Sequence, residues 1–215
     1  MELKDIVAVN DLFAPIYPYV ARQVAREYGR TDGVGLEIGP FAGGISIELA
    51  RHCPQLGLTV GDDFPGLLPH FRQKLEESSL GARVLVREMD KCDLPVRDGA
   101  FEGAFAFNLL HLFLAEGRAR CAAELCRILR PGGWLCATLF ATEDASCGKG
   151  RAVEPNTFDD RGGRPAHYFT TPEVKDLFAA AGFIPRSVET IHEQENHGAG
   201  PHMHVWHLVT AQRRP

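Results

Sequence analysis

At 215 residues the chain suits one domain, since about 150 residues per domain gives roughly 1.4, and a core of that size needs neither disulfides nor a structural metal. Apolar residues at 45% and charged residues at 24% exclude a disordered or fibrous chain. A net charge of −5, with Lys and Arg dispersed, argues against a duplex nucleic-acid partner.

The opening MELKDIVAVNDLF carries acids within its first five positions and no long apolar run, so it does not read as a secretion signal and a cytoplasmic protein is expected. The longest apolar stretch, Ala104 to Ala115, is broken by Asn108 and His111 and falls short of the ~20 residues that cross a bilayer. No membrane partner is expected. The six cysteines form no CxxC pair, and without a signal they read as reduced thiols that pack like small hydrophobes.

Strand-like and helix-like patterns alternate along the chain, which predicts an α/β domain with a mainly parallel sheet. An N-terminal helix over Val20 to Tyr28 covers the first turn, and residues 1–30 form a cap segment. Strand one is Val34 to Ile38, followed by a helix from about Gly44 to Cys53 with Ile45, Leu49 and Ala50 on one face. Strand two runs from Leu56 to Gly61. The next helix presents Leu67, Leu68, Phe71 and Leu75, with Gly81 as its left-handed terminator. Ala82 to Glu88 gives strand three, and the almost continuous apolar run Phe101 to Leu109 gives a fourth strand buried on both faces. A helix from about Ala115 to Leu129 stops at Pro131-Gly132-Gly133, and GWLCATLFA makes strand five. Residues 142–170 show no period and read as a long excursion on the substrate side. Thr171 as N-cap, Pro172 and Glu173 start a last helix that ends at Gly182. Phe183 to Glu193 and His202 to Gln212 close the chain as two strands.

The strand-one turn reads ExGxxxGG, Glu37 to Gly44, where glycine lets backbone approach a ligand or adopt positive φ. Asp62-Asp63 follows at the end of strand two, about 24 residues past Gly39, near the spacing at which a carboxylate meets ribose hydroxyls. The plain alternative is a tight β–α turn followed by an acid-rich surface turn. A dinucleotide site wants a glycine two places after Gly39, but Phe41 stands there, so an NAD-linked oxidoreductase loses weight. A ligand without phosphate has no such need, and Glu37 suits a cationic one.

From these residues the chain resembles the class I S-adenosylmethionine-dependent methyltransferases over roughly residues 30 to 210. LEIGPFAGG resembles the family's first motif, which would set Glu37, Gly39, Pro40, Phe41 and Gly43 around the methionine part of the cofactor. VGDDF resembles the second-strand segment, with Asp63 as the ribose-binding acid and Asp62 beside it. MDKCDLP is similar to the stretch after strand three, implying that Asp90 and the backbone of Lys91 meet the adenine edge. FNLLHLF resembles the fourth-strand motif and puts Asn108 and His111 at the mouth of the site, and ELCRILRPGGWL is similar to a structural signature before strand five. HYFTTPEVKDLFAAAGF is similar to a segment of small-molecule bacterial members. Phe41 departs from the usual middle glycine. The resemblance implies a Rossmann-like, doubly wound, seven-stranded and mostly parallel sheet, one methyltransferase domain over 1–215, an antiparallel C-terminal hairpin and S-adenosyl-L-methionine as cofactor.

Methyl transfer from a sulfonium is an in-line displacement that depends on alignment and on exclusion of water. A hydroxyl or amine acceptor gains from a base, and His111, at the end of strand four, is the catalytic candidate; a backbone-bonded histidine at a helix start is the alternative. Tyr17, with Tyr19 nearby, and His167 and Tyr168 after the excursion are candidate contacts to a small-molecule acceptor, with packing or a surface turn as the other reading. Phe41 and the lack of an obvious base leave a cofactor-binding protein without turnover as a rival. His192, His197, His202, His204 and His207 crowd the end of the chain, yet on a strand at most two neighbours converge unless another element contributes, so no metal is assigned and a metal-handling protein stays a rival.

Overall fold

The computed structural model describes residues 17–29, 32–40, 43–64, 66–159, 165–196 and 201–215. Helix α1 (Tyr17–Tyr28) buries Tyr17, Val20, Ala21 and Val24, the i, i+3, i+4, i+7 stripe of an amphipathic helix. It begins three residues earlier than the pattern predicted, and the rest of the cap segment lies outside the described residues. Then follow β1 (Gly33–Ile38), α2 (Gly44–His52), β2 (Leu56–Asp62), α3 (Leu67–Glu77), β3 (Val84–Glu88) and β4 (Phe101–Phe107). A 3-10 turn (Leu110–Leu112) leads to α4 (Ala115–Ile128), β5 (Leu129–Phe140), β6 (Arg151–Glu154), β7 (Thr157–Asp159) and β8 (Ala166–His167). The chain ends with α5 (Thr171–Ala180), β9 (Phe183–Asn196) and β10 (Pro201–Arg213).

The main sheet has seven strands in the order β3-β2-β1-β4-β5-β10-β9. β1 pairs in parallel with β2 and β4, and β10 runs antiparallel to both β5 and β9. The α/β, Rossmann-like, doubly wound sheet with its C-terminal hairpin is therefore present. Strand order reverses between β1 and β4, and the crevice at their carboxyl ends is where open α/β sheets bind ligands.

Two apolar layers flank the sheet, and the pleat sorts residues between them. Phe105 and Phe107 of β4 join Tyr17, Val24, Leu49 and Phe71 on the α1–α3 face. Ala104 and Ala106 face Leu125, Val174 and Phe178 of α4 and α5. Small side chains on one face of β4 and rings on the other let a central strand fit both layers. The cysteines are free, four of them buried, as expected for packed thiols.

Four local expectations change. Helix α3 ends at Glu77 and Ser79, at φ 59°, takes the left-handed position, so Gly81 is not the terminator. The N-cap of α5 is Thr170, whose hydroxyl accepts from the Glu173 N–H at 3.3 Å, one residue before the predicted cap. Helix α4 stops at Ile128 because Leu129 is already extended and pairs with Phe101, ahead of the Pro131-Gly132-Gly133 signal. The excursion over 142–170 holds β6, β7 and β8 as a small antiparallel sheet. Glu154 ties that sheet back by accepting from the Ala115 N–H at 3.0 Å at the N-terminus of α4, where a carboxylate is favoured, and by pairing with Arg118 at 3.3 Å.

Gly103 lies under Trp134, and a Cβ there would come within 2.5 Å of the indole. The indole in turn stacks on Tyr28 at 3.7 Å, so it has little freedom to give way. Gly103→Ala should lower stability by about 1–3 kcal/mol, the usual range for overpacking. A urea melt with a lower midpoint and unchanged slope is the expected result.

Candidate active site

The carboxyl ends of β1, β2, β4 and β5 define the site. After β1, Gly39 (φ 72°) and Gly43 (φ 81°) take left-handed backbone that side-chain residues rarely adopt. The Gly39 N–H reaches across to the Gly61 carbonyl at 3.0 Å, and the Pro40 carbonyl accepts from Gly43 at 2.9 Å, which closes the turn onto α2. A Cβ on Gly43 would fall 2.0 Å from the Phe71 ring, so the sequence must carry glycine at that point. Phe41, the departure from the family motif, lies outside the described residues.

Glu37 sits on β1 between Leu36 and Ile38. Because those neighbours face the α4–α5 layer, the pleat turns Glu37 to the other side, under α2. It is fully buried, and among the described residues neither carboxyl oxygen has a hydrogen bond of normal geometry. Burial pushes its carboxyl up to about 8, against a smaller opposing pull from the Ser46 hydroxyl. A buried polar group left in this state is rare in folded proteins and calls for an explanation.

At the end of β2, Asp62 is buried while Asp63 is exposed. The Asp62 carboxylate accepts from the Phe64 N–H at 2.8 Å and from Lys91 Nζ at 3.0 Å, and Lys91 also contacts Asp63. Burial raises the Asp62 carboxyl, with Lys91 pulling the other way. Burial alone would depress the Lys91 ammonium, but the two acids outweigh it and hold it above its ordinary value. Lys91 thus joins this group through its side chain, an arrangement the motif reading, which used its backbone, did not foresee. Asp90 is exposed beside it and accepts from the Cys92 N–H at 2.7 Å.

The fourth-strand motif ends at Asn108, whose φ of 53° breaks the strand at Phe107, two residues before the apolar run stops. Asn108 is then locked to β5. Its N–H donates to Thr138 Oγ1 at 2.9 Å, and its side-chain oxygen accepts from the Thr138 hydroxyl at 2.8 Å. A crevice too narrow to admit a water molecule lies beside it, lined by Tyr17, Val20, Ile45, Asn108, Thr138 and Trp206. Thr138 and Trp206 went unmarked as site residues in the sequence; the alternation along β10 was the one available signal for Trp206.

His111 stands in the 3-10 turn after β4, buried, with its ring 4.2 Å from Phe140. Phe140 also stacks on Trp206 at 4.4 Å and on Tyr168 at 5.5 Å, so four elements contribute rings to one wall. Tyr17 and Tyr168 join this region. Tyr19 instead donates to Glu189 on β9 at 2.6 Å. His167 is held away from it: one ring nitrogen meets Thr157 Oγ1 at 2.8 Å and the other meets Glu173 at 2.8 Å. These two bonds make it a strut between the small sheet and α5, and burial depresses its basicity.

Glu37 yields a stability signature. Its folded value lies above its ordinary 4.5, so the native state keeps a proton that the unfolded chain has released. The corresponding stability is complete below about pH 4.5 and is lost as pH rises through about 8. Glu37→Gln should flatten the decline in melting temperature between about pH 5 and pH 9; equal slopes in the two proteins would show that another group controls it.

Residues 36–137 match the family model described as a methyltransferase domain. No curated protein sequence matches the chain. Among solved structures, an S-adenosylmethionine-dependent methyltransferase from Methanosarcina mazei is 20% identical, with TM-score 0.74 over 89% of this chain and 97% of the other. The 1,6-didemethyltoxoflavin N1-methyltransferase of Burkholderia thailandensis, solved with 1,6-didemethyltoxoflavin and S-adenosylhomocysteine bound, is 22% identical, with TM-score 0.73 over 97% and 81%. The cyclase SpnF is 18% identical, with TM-score 0.67 over 96% and 95%. Residues 36–137 thus match a methyltransferase-domain model, and the chain shares the fold of these solved structures.

Proposed function

We propose that the protein transfers a methyl group from S-adenosylmethionine to a small-molecule acceptor. The observation that carries this reading is Glu37, a fully buried carboxyl at the end of β1 beside the glycine turn, whose oxygens accept no hydrogen bond of normal geometry among the described residues. A cationic or donor-rich amino-acid end of a ligand would supply what the fold omits, and an acid in a dry site holds such a group strongly. The cofactor contributes an electrophilic methyl carbon on a sulfonium.

The chain's own residues supply binding and alignment. Glu37, Gly39, Pro40 and Gly43 would hold the methionine end, with Phe41 on the same turn. Asp63, with Asp62 and Lys91 beside it, would accept from the ribose hydroxyls, and Asp90 would face the adenine edge. Asn108 and Tyr17 would close the crevice over the reacting centre. The ring wall of His111, Phe140, Tyr168 and Trp206 would exclude water from the acceptor, which preserves alignment and prevents hydrolysis. His111 would take the proton that a hydroxyl or amine acceptor releases. The Burkholderia protein is solved with 1,6-didemethyltoxoflavin bound, which supports a small-molecule acceptor here.

Binding without turnover is the second reading, and one observation favours it: a neighbour of the same fold is a cyclase and not a methyltransferase by name. Calorimetric titration with S-adenosylhomocysteine should show saturable binding that weakens about 10- to 100-fold in Asp63→Ala, the effect of losing hydrogen bonds to a charged group. Absence of binding by the intact protein would defeat both readings. Incubation with methyl-labelled S-adenosylmethionine and a fractionated metabolite extract then separates them: label in a small molecule supports transfer, and label retained in the cofactor supports binding alone.

A further inference from the structure

The histidine-rich end of the chain gains a partner from the excursion. His202 and His204 are two apart on β10, so they share a face, and their ring centres lie 4.3 Å apart. By strand geometry alone two ligands converge there. Asp144, just past the end of β5, supplies the third. One ligand atom from each of Asp144, His202 and His204 lies within 4.8 Å of the other two.

Asp144 is held for this role. Its side chain is fully buried, and each oxygen accepts one backbone N–H: Oδ1 from Ser146 at 2.8 Å and Oδ2 from Val205 at 2.9 Å. Those two bonds fix the carboxylate plane and leave a lone pair on each oxygen. Both imidazoles converge on it, His204 Nδ1 on Oδ2 at 3.0 Å and His202 Nε2 on Oδ1 at 3.8 Å. The second distance is too long for a hydrogen bond, but it is close to the ~3.3 Å between two ligands that each sit ~2.0–2.1 Å from a tetrahedral ion. The His202 side chain is 22% exposed, which opens a path for an ion to enter. Ser146 Oγ lies 3.2 Å from His202 Nε2, a contact that an ion on that nitrogen would displace.

We propose that Asp144, His202 and His204 bind a divalent transition-metal ion, with Zn²⁺ the best match in class. Two imidazoles beside one hard carboxylate suit zinc and its neighbours, whereas magnesium and calcium take sets of oxygen donors. Three protein ligands leave one tetrahedral position for water or for an oxygen or nitrogen donor of a small molecule, the pattern of an open site rather than a closed structural one. The site also borders the aromatic wall: the His204 ring is 6.1 Å from Phe140 and 5.7 Å from Trp206. A donor atom on this ion would therefore sit at the rim of the proposed acceptor chamber. The inference stands on side chains that the methyl-transfer reading does not use, so either can fail without the other.

The test is metal binding by the full chain after chelator treatment and dialysis. Zn²⁺ alone, titrated calorimetrically, should bind near one per chain, and His202→Ala should weaken that binding at least about 10-fold. Because Trp206 lies beside the site, Co²⁺ should quench part of the tryptophan fluorescence in the wild type and not in His202→Ala. His202→Gln repeats the measurement should the alanine variant fold poorly, and His52→Ala, on the far helix α2, should bind as the wild type does. Lack of saturable binding, or equal affinity in the wild type and both His202 variants, overturns the proposal.

Discussion

The site is organised around one desolvated carboxyl. Glu37 belongs to a central strand of a sheet covered on both faces, so its side chain has no route to water. A carboxylate in that position costs several kcal/mol unless it is paired, and the protein's response is to hold the proton to about pH 8. The glycine turn, α2 and the crevice between β1 and β4 all bear on this group. In that account the fold carries an electrostatic cost which a cationic ligand removes on binding.

The acids at the end of β2 illustrate a different solution. Asp62 is also buried, but it is satisfied internally by a backbone N–H and by Lys91. It is therefore ready to present Asp63 at the surface without help from a ligand. Two neighbouring strand ends thus carry carboxylates in opposite states, one completed by the chain and one left open. The open group is the stronger functional signal, since internally paired acids are common in any stable fold.

Much of this was legible from the sequence because period and punctuation act locally. The alternation of strands and helices, the ExGxxxGG turn and the Asp62-Asp63 pair each depend on residues close together in the chain. The full burial of Glu37 was not read from the sequence, although its apolar neighbours on β1 were the available signal. What the sequence concealed depends on distant contacts. Asn108 entering left-handed backbone ends β4 early because Thr138, on the next strand, holds it there. The strand pairing in 142–170 has no apolar period, since its strands are short and half exposed, and they are held through Glu154 and His167 by contacts to α4 and α5. Asp144 lies in that stretch with no motif around it, and its convergence with His202 and His204 depends on the pairing of β10 with β5. His167, expected as an acceptor contact, has both ring nitrogens engaged by Thr157 and Glu173, contacts that its sequence neighbours do not announce.

If Glu37 is the group that a ligand completes, binding must change its protonation. At pH 7 the free protein holds this proton, and a bound cation would favour the carboxylate. Titration of S-adenosylhomocysteine at pH 7 in buffers of different ionisation enthalpy reads that change directly. Close to one proton per ligand should be released by the wild type and close to none by Glu37→Gln; binding of the ligand by the wild type with no proton released would contradict a ligand-completed Glu37.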